Sequence, residues 1–163
     1  MSNWTEKNRA HFNNTASTYN TKFSKTILQI IDEIQARRKW IGAGSIDLDS
    51  ETDDESSAPD STAQKKGLRV LDYACGTGLV SRALIPYVSR CVGLDISESM
   101  ADEYNSSARD QGIGEDEMCA HVGSLLDPKS VPESLAGPEF YGFDVVAVGN
   151  GFHHFPDPAL AAN

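Results

Sequence analysis

Short apolar runs alternate with helix-length segments along most of the chain. The apolar runs that are strand candidates cover residues 68–74, 90–95, 118–122 and 143–148. Residues 79–88 carry apolar side chains on one helical face, and residues 97–111 open with a serine cap and close at Gly112. Strands alternating with helices are typical of βαβ units and a parallel sheet. The pattern predicts an α/β protein.

An amphipathic helix is predicted before the first strand. Its apolar side chains, from Phe23 to Ile34, recur at helical spacing, Ser24 is its candidate cap, and it ends near the basic stretch 37–40. Residues 45–66 are polar and acidic, with no apolar period after Leu48. Such a composition cannot bury enough surface to offset its ordering entropy. It predicts a disordered insertion in a surface loop; a charged regulatory motif is the alternative.

Composition narrows the class of protein. The chain has 163 residues, 39% hydrophobic and 23% charged, which excludes a fully disordered chain, a collagen-like repeat and a disulfide-stapled miniprotein. No run approaches the ~18 apolar residues of a membrane span, and no apolar signal core opens the sequence. A soluble cytoplasmic protein with no membrane span is expected. Its size suits one domain.

Charge and cysteines add two expectations. The net charge is −10, and seven acidic residues with no basic ones lie within residues 47–64. An acidic main body gains little from phosphate attraction, so no nucleic-acid partner is expected. Cys75, Cys91 and Cys119 form no CxxC pair. They are predicted to be reduced core thiols, with no metal or disulfide role.

The most specific motif is the junction between the first strand and the next helix, VLDYACGTGL at 70–79. Glycines there remove side chains that would block a ligand from the backbone. The second strand ends in Asp95, and a carboxylate at that point can accept hydrogen bonds from both hydroxyls of a ribose. The combination favours a nucleotide or nucleoside pocket at the carboxyl edge of the sheet.

At these residues the sequence resembles the class I S-adenosylmethionine-dependent methyltransferases, in particular those similar to the ubiquinone and menaquinone C-methyltransferases. The segments that carry the resemblance are VLDYACGTG (70–78), VGLDISESM (92–100), HVGSLLD (121–127), FDVVAVGNGFHHFPDP (143–158) and, upstream, AHFNNTASTYN (10–20). The resemblance implies S-adenosylmethionine as cofactor and a Rossmann-like, doubly wound parallel sheet. The chain supplies the first four of the family's seven strands, in the order 3-2-1-4.

The resemblance also implies a set of cofactor-binding residues: Tyr19, Asp72, Ala74, Gly76, Gly78, Asp95, Ile96, Met100, Ser124, Leu125 and Asn150. The glycine loop shapes the pocket of the methionine part, and Asp95 holds the ribose. Residues 96 and 100 pack beside the adenine, and residues 124 and 125 lie at its other edge. Where this chain has Ser124 the family often has Asp, so the contact to the adenine amino group is weakened or left to Asp127.

The same resemblance assigns the acceptor side and the boundaries. Asn150 lies where the cofactor's methionine end meets the substrate, and His153 and His154 are weak candidates for the substrate side. Residues 1–44 form an N-terminal lid and helix, residues 45–66 the acidic insertion, and residues 67–163 the first part of the cofactor-binding domain. The implied reaction is methyl transfer to oxygen, nitrogen or carbon of a small-molecule acceptor. It requires no universal catalytic residue.

Simpler interpretations stay open for several of these residues. Asp72 could cap the next helix, and Asp95 could be a helix-terminal charge beside the Ser97 cap. Met100 is a core residue by spacing alone. The adjacent histidines are expected to point apart, so a metal site lacks an evident third ligand, and packing is preferred to a general-base role. Asp157 followed by proline predicts a helix start.

Two rival functions remain. A dinucleotide-dependent oxidoreductase shares the glycine loop and the acidic residue, but its fingerprint needs glycine at position 81, which is Ser81. The other is a truncated, non-catalytic fragment. With only four of the family's seven strands, strand four would be an uncovered apolar edge. A missing C-terminal half or a partner chain would then cover it. Gly78→Val is expected to block nucleoside binding with little loss of secondary structure.

Overall fold

Four strands pair in parallel into one sheet in the computed structural model, which describes residues 3–43, 67–126 and 131–161. They are β1 (Arg69–Tyr73), β2 (Arg90–Asp95), β3 (Met118–Val122) and β4 (Val145–Ala147), in the order β3-β2-β1-β4. This confirms the α/β class and the predicted strand order. The predicted acidic insertion and Asp127 lie outside the described residues.

Five α-helices accompany the sheet in the described part of the chain. They are α1 (Asn3–Lys22), α2 (Ser24–Arg37), α3 (Leu79–Leu84), α4 (Glu98–Asp110) and α5 (Pro158–Ala161). Helices α3 and α4 connect β1 to β2 and β2 to β3, as parallel pairing requires. Short 3-10 helices follow α2, follow α3 and precede α5; the last covers Phe152–His154.

Strand register aligns the chemistry of the sheet's carboxyl edge. Asp72 of β1 lies beside Gly93 of β2 and Ala147 of β4. Asp95 is the last residue of β2 and pairs with Val122 of β3. Because the strands are parallel, the loops that follow all four open on the same edge.

Strands β1 and β2 send alternate side chains to two apolar layers. Val70 and Cys91 pack with Leu84, Tyr104 and Met118, so this layer lies under helices α3 and α4. The second layer contains a separate group of buried side chains: Leu71, Tyr73, Val92, Leu94, Leu135 and Phe140. The continuous apolar character of β1 and β2 follows from this burial on both faces.

The start of α2 corrects the sequence prediction. Ser24 is the first helical residue instead of the cap, Phe23 takes the cap position, and no side chain bonds the helix start. The reason is local: α1 ends at Lys22, one residue earlier, and the Phe23 carbonyl already accepts from the Ile27 amide at 2.9 Å.

Helix α1 was not predicted as a helix. Its sequence is polar around most of its circumference, and Ala16 is its only buried residue. A helix without an apolar stripe gives no periodic signal. Its contacts with α4 and with the loop after β1 are made by side-chain hydrogen bonds, which hydropathy does not reveal.

Candidate functional site

The glycine-rich loop after β1 turns sharply at the carboxyl edge of the sheet. The Gly78 amide donates to the Cys75 carbonyl at 2.9 Å, and the Cys75 amide donates to Leu94 of β2 at 3.1 Å. Ala74, Gly76 and Gly78 have φ of +56°, +52° and +86°. This left-handed backbone suits glycine, and at Ala74 it is a strained conformation typical of functional sites.

The two glycines of the loop face different surroundings. A Cβ at Gly76 would meet nothing within 4 Å, so the backbone there is open to a ligand. A Cβ at Gly78 would lie 2.7 Å from the Tyr104 ring. Gly78 therefore permits core packing, and the structure corrects the expectation that Gly78→Val would spare the fold: its side chain would enter the core.

Asp95 ties the end of β2 to the glycine loop. Its Oδ2 accepts from the Gly76 amide at 2.8 Å and its Oδ1 from the Ser97 amide at 2.9 Å. Burial raises the pKa of this carboxyl, and the backbone hydrogen bonds oppose the rise. The residue is largely buried, 9% exposed, and its carboxyl oxygens keep acceptor capacity beside Gly76.

Asp72 lies behind the loop. It is 1% exposed, and its Oδ2 accepts from both the amide and the hydroxyl of Ser81, at 3.1 and 2.8 Å. Ser81 is the third residue of α3, so Asp72 caps that helix, as the simpler interpretation held. Burial raises the pKa of Asp72 to about 7, against the lowering effect of the Ser81 bonds. A direct role toward a cofactor stays a prediction.

The first turn of α4 follows Asp95 directly. Ser97 caps it as predicted, its Oγ accepting from the Met100 amide at 3.2 Å. Met100 is 1% exposed, which is the core position that its spacing indicates. Ile96 is half-buried and remains available beside Asp95. Any adenine contact of Ile96 or Met100 stays a prediction.

The loop after β3 is held by a residue that the sequence did not single out. The Tyr73 hydroxyl lies 2.8 Å from Ser124 Oγ and accepts from the Leu125 amide at 3.0 Å. Ser124 and Leu125 are half-buried at the edge of the sheet. Tyr73 thereby links the loop after β3 to β1, close to where the adenine edge is predicted.

The loop after β4 packs on the glycine loop. A Cβ at Gly151 would lie 2.7 Å from the Ala74 Cβ, so the two backbones touch. Asn150, just before it, is exposed and has φ +59°. The predicted acceptor-side segment is therefore adjacent to the predicted cofactor loop.

The two histidines after β4 do not point apart as expected. The ring centroids of His153 and His154 are 3.9 Å apart because the chain forms a 3-10 turn there. Phe12 of α1 packs edge-on to His154 at 5.0 Å. Burial, then the neighbouring His153 and His11, lowers the pKa of His154. Farther along, Asp157 caps α5 by accepting from the Leu160 amide at 3.0 Å, as predicted.

Helix α1 crosses the open edge of the site. Asn20 accepts from the Thr77 hydroxyl at 2.7 Å, and Asn13 accepts from the Ser97 hydroxyl at 2.6 Å. Arg9 pairs with Glu98 at the start of α4. Tyr19, half-buried on α1, packs against Phe23 at 4.9 Å. The sequence argument missed Asn13 and Asn20, since lone polar residues in a polar helix give no signal.

The part of the chain that contains this site matches a known protein family. A family profile described as a methyltransferase domain matches residues 70–163, more than half of the chain. The chain belongs to the methyltransferase-domain family. The match begins at the second residue of β1 and includes all the loops of the candidate site. Helix α1 lies outside it.

Individual methyltransferases show the extent of the likeness. An uncharacterized methyltransferase of Schizosaccharomyces pombe is 37% identical over 106 residues, 65% of this chain and 36% of that protein. A ubiquinone biosynthesis O-methyltransferase of Coxiella burnetii is 30% identical over 93 residues, 57% of this chain and 35% of that protein. The chain spans about a third of the length of these relatives.

A solved methyltransferase shares the fold. The magnesium protoporphyrin IX methyltransferase of Synechocystis, determined with bound SAH, superposes with a TM-score of 0.61 at 21% identity. The match covers 94% of this chain and 61% of that one. This supports the Rossmann-like class I methyltransferase architecture, in which this chain has the strand order 3-2-1-4.

The site fits the S-adenosylmethionine-type cofactor that this family uses. Gly76 leaves space that any Cβ would fill, and Asp95 presents a carboxylate at the same point. At the position where a dinucleotide fingerprint needs a third glycine, Ser81 is fully buried and bonded to Asp72. The described residues thus place an open glycine beside a carboxylate and lack that dinucleotide fingerprint.

The described residues also bear on metal sites and membrane spans. No group of three or more His, Cys, Asp or Glu side chains could hold a metal ion there, which leaves the histidine pair without metal partners. Within the same residues, none of the helices has the length and apolar character to span a membrane. Cys75, Cys91 and Cys119 are free thiols, the first two buried in the core.

Proposed function

We propose that this chain binds S-adenosylmethionine at the carboxyl edge of the sheet and serves methyl transfer to a small-molecule acceptor. The observation that carries the proposal is the contact between Gly76 and Asp95: an open, left-handed glycine whose amide is fixed by a carboxylate at the end of the neighbouring strand. In this assignment Asp95 accepts hydrogen bonds from the ribose hydroxyls.

Other residues would complete the cradle. Ala74 and Gly76 provide backbone for the methionine part, with Gly78 and Asp72 shaping the loop from behind. Ile96, which follows Asp95, and Leu125, in the loop after β3, are half-buried apolar side chains suited to flank an adenine ring. Ser124 can offer its hydroxyl at that edge, oriented by Tyr73.

The bound sulfonium supplies the methyl group and the driving force, so the protein must mainly orient the acceptor and exclude water. Asn150 and the histidine pair lie on the acceptor side, next to the loop that would hold the methionine part. His154, whose lowered pKa favours the neutral imidazole, can accept a proton near neutral pH. Helix α1 contacts this edge, since Asn8 donates to the His154 carbonyl and Asn20 accepts from Thr77.

The acceptor is proposed only as a class. The Coxiella burnetii relative is named for ubiquinone biosynthesis and for O-methyl transfer, which supports a small organic acceptor with oxygen as one candidate atom. Because the chain spans about a third of its relatives, the 163 residues alone are expected to bind cofactor with weak or no turnover. Robust methylation by this chain alone would contradict that expectation.

Calorimetric titration of the folded chain with S-adenosylmethionine and S-adenosylhomocysteine tests the proposal. Saturable binding of both is expected. Thermal shift with S-adenosylhomocysteine against NAD separates the oxidoreductase alternative, which predicts stabilisation by NAD instead. Absence of binding in a sample with intact circular dichroism would refute the proposal.

The two loop glycines provide a matched pair of variants. Gly76→Ala adds a Cβ into the open space proposed for the ligand, so we expect affinity for S-adenosylhomocysteine to fall about tenfold or more, while alanine at φ +52° lowers Tm only by its backbone strain. Gly78→Ala adds a Cβ against the Tyr104 ring as well as backbone strain at φ +86°, so we expect a larger fall in Tm. Unchanged affinity in Gly76→Ala would remove that glycine from the site.

A further inference from the structure

Two asparagines of α1 reach the two sides of the proposed cradle. Asn13 and Asn20 are seven residues apart, which is two helical turns, so both project from one face of the helix. Asn20 bonds Thr77 in the glycine loop, and Asn13 bonds Ser97 after β2. One face of α1 therefore forms hydrogen bonds with both loops that would enclose the ribose.

Asn13 completes the cap of α4. Its Oδ1 accepts from the Ser97 hydroxyl at 2.6 Å and from the Ser99 amide at 3.2 Å, and its Nδ2 donates to Glu98 at 3.0 Å. The first amides of a helix have no partners within it. Ser97 satisfies one and Asn13, from a different helix, satisfies another.

The contact between Asn13 and Ser97 also affects Asp95, the residue proposed to bind the ribose. Ser97, whose hydroxyl Asn13 holds, donates its own amide to Asp95 Oδ1 at 2.9 Å. The hydrogen bonds thus run from Asn13 through Ser97 to the carboxylate. A shift of Ser97 would rotate the Asp95 side chain away from its position between the two loops.

Asn20 acts on the other oxygen of the same carboxylate. Thr77 is 3% exposed and follows Gly76, whose amide donates to Asp95 Oδ2 at 2.8 Å. The Thr77 hydroxyl is held by Asn20 Oδ1 at 2.7 Å. Both asparagines therefore act on Asp95. Asn20 does so through the glycine loop after β1, and Asn13 does so through Ser97, which follows β2.

We propose that Asn13 and Asn20 are positioning residues through which docking of α1 sets the geometry of Asp95 and hence the affinity for the cofactor. This inference rests on the proposed function of Asp95. Since coupling between two equilibria is reciprocal, bound cofactor must in turn hold α1 in place. Neither asparagine touches the ligand in this proposal.

The test compares S-adenosylhomocysteine affinity in the full chain and in three single variants. Asn13→Ala and Asn20→Ala each remove one anchoring side chain, and Asn14→Ala, exposed on the same helix, is the matched control. We expect each anchor variant to weaken binding about five- to tenfold, as loss of a part-buried hydrogen bond implies, and the control to bind like the wild type.

A rescue separates positioning from general destabilisation. Asn20→Asp keeps an oxygen acceptor for Thr77 and is expected to restore most of the affinity that Asn20→Ala loses. Combining Asn20→Ala with Thr77→Val should cost little more than either change alone, because both break the same bond. Affinities are measured well below each variant's Tm, so a folding defect is visible separately.

Hydrogen exchange gives a readout independent of activity. In the wild type, S-adenosylhomocysteine should slow exchange across residues 3–22, and without ligand Asn13→Ala should speed exchange at residues 97–100. If the wild type binds the ligand and both anchor variants bind equally well, the inference is wrong while the proposed function stands. If the wild type does not bind, both fail.

Discussion

Asp72 is the residue whose environment most changes its chemistry. Burial raises its pKa to about 7, while an unfolded Asp titrates near pH ~3.9. Between about pH 4 and 7 the native state therefore holds a proton that the unfolded chain has released. The free energy of unfolding contributed by this group falls as pH rises through that window.

Asp72→Asn tests the direction of this pH dependence of stability. The amide keeps an oxygen acceptor for Ser81 and cannot ionise, so the slope of unfolding free energy against pH should flatten between about pH 4 and 7. Urea unfolding followed by circular dichroism at several pH values measures it. Asp32→Asn, on exposed α2, controls for loss of a charge. An unaltered slope in Asp72→Asn would mean that the buried carboxyl ionises as in water.

At the scale of elements, α1 is joined to α4 by an ion pair as well as by Asn13. Arg9 and Asn13 lower the pKa of Glu98 to about 2 by hydrogen bonding, and both charged side chains remain a third or more exposed. Water therefore screens much of the attraction. The pair's contribution is present above pH ~4.5 and is lost as pH falls toward about 2.

Glu98→Gln should loosen α1 without unfolding the sheet. We expect faster chymotrypsin cleavage after Phe12 at low salt, and a smaller difference from the wild type at about 1 M salt, where the Debye length is about 3 Å. Asp102→Asn, exposed on α4, is the control. Equal cleavage of all three proteins at low salt would show that the hydrogen bonds of Asn13 and Asn20 hold α1 by themselves.

At the scale of the whole molecule, β4 is an open edge. Among the described residues it pairs only with β1, and Val146 in its centre is 64% exposed. An uncovered apolar edge strand offers unpaired backbone groups to another chain. The β4 edge is therefore available for pairing with another polypeptide segment.

The chain of 163 residues should accordingly self-associate as its concentration rises. Val146→Lys places a charge on the edge and should reduce the light scattering at matched concentration. Leu160→Lys adds the same charge at an exposed position of α5, which is not part of the sheet, and should have a smaller effect. If the two variants behave alike, net charge and not the β4 edge governs association.

The sheet was predictable because its signals are local. The runs at 90–95 and 118–122 coincide with β2 and β3, and the Ser97 cap and Gly112 bound α4. Helix α1 was not predictable in this way. Its side chains are polar, and its anchors Asn13 and Asn20 become meaningful only when their partners are placed beside them.

The features of the candidate site also fall into those that the sequence predicts and those that it does not. The sequence by itself determined the α/β class, the strand order through family resemblance, the glycine loop and the acidic end of β2, because apolar runs, glycines and a carboxylate at a strand end are properties of short segments. Tertiary structure decided which loop glycine borders open space, that Asp72 turns inward to Ser81, and that α1 bonds the residues on both sides of Asp95. These depend on side-chain direction and contacts between distant segments, which no local pattern encodes.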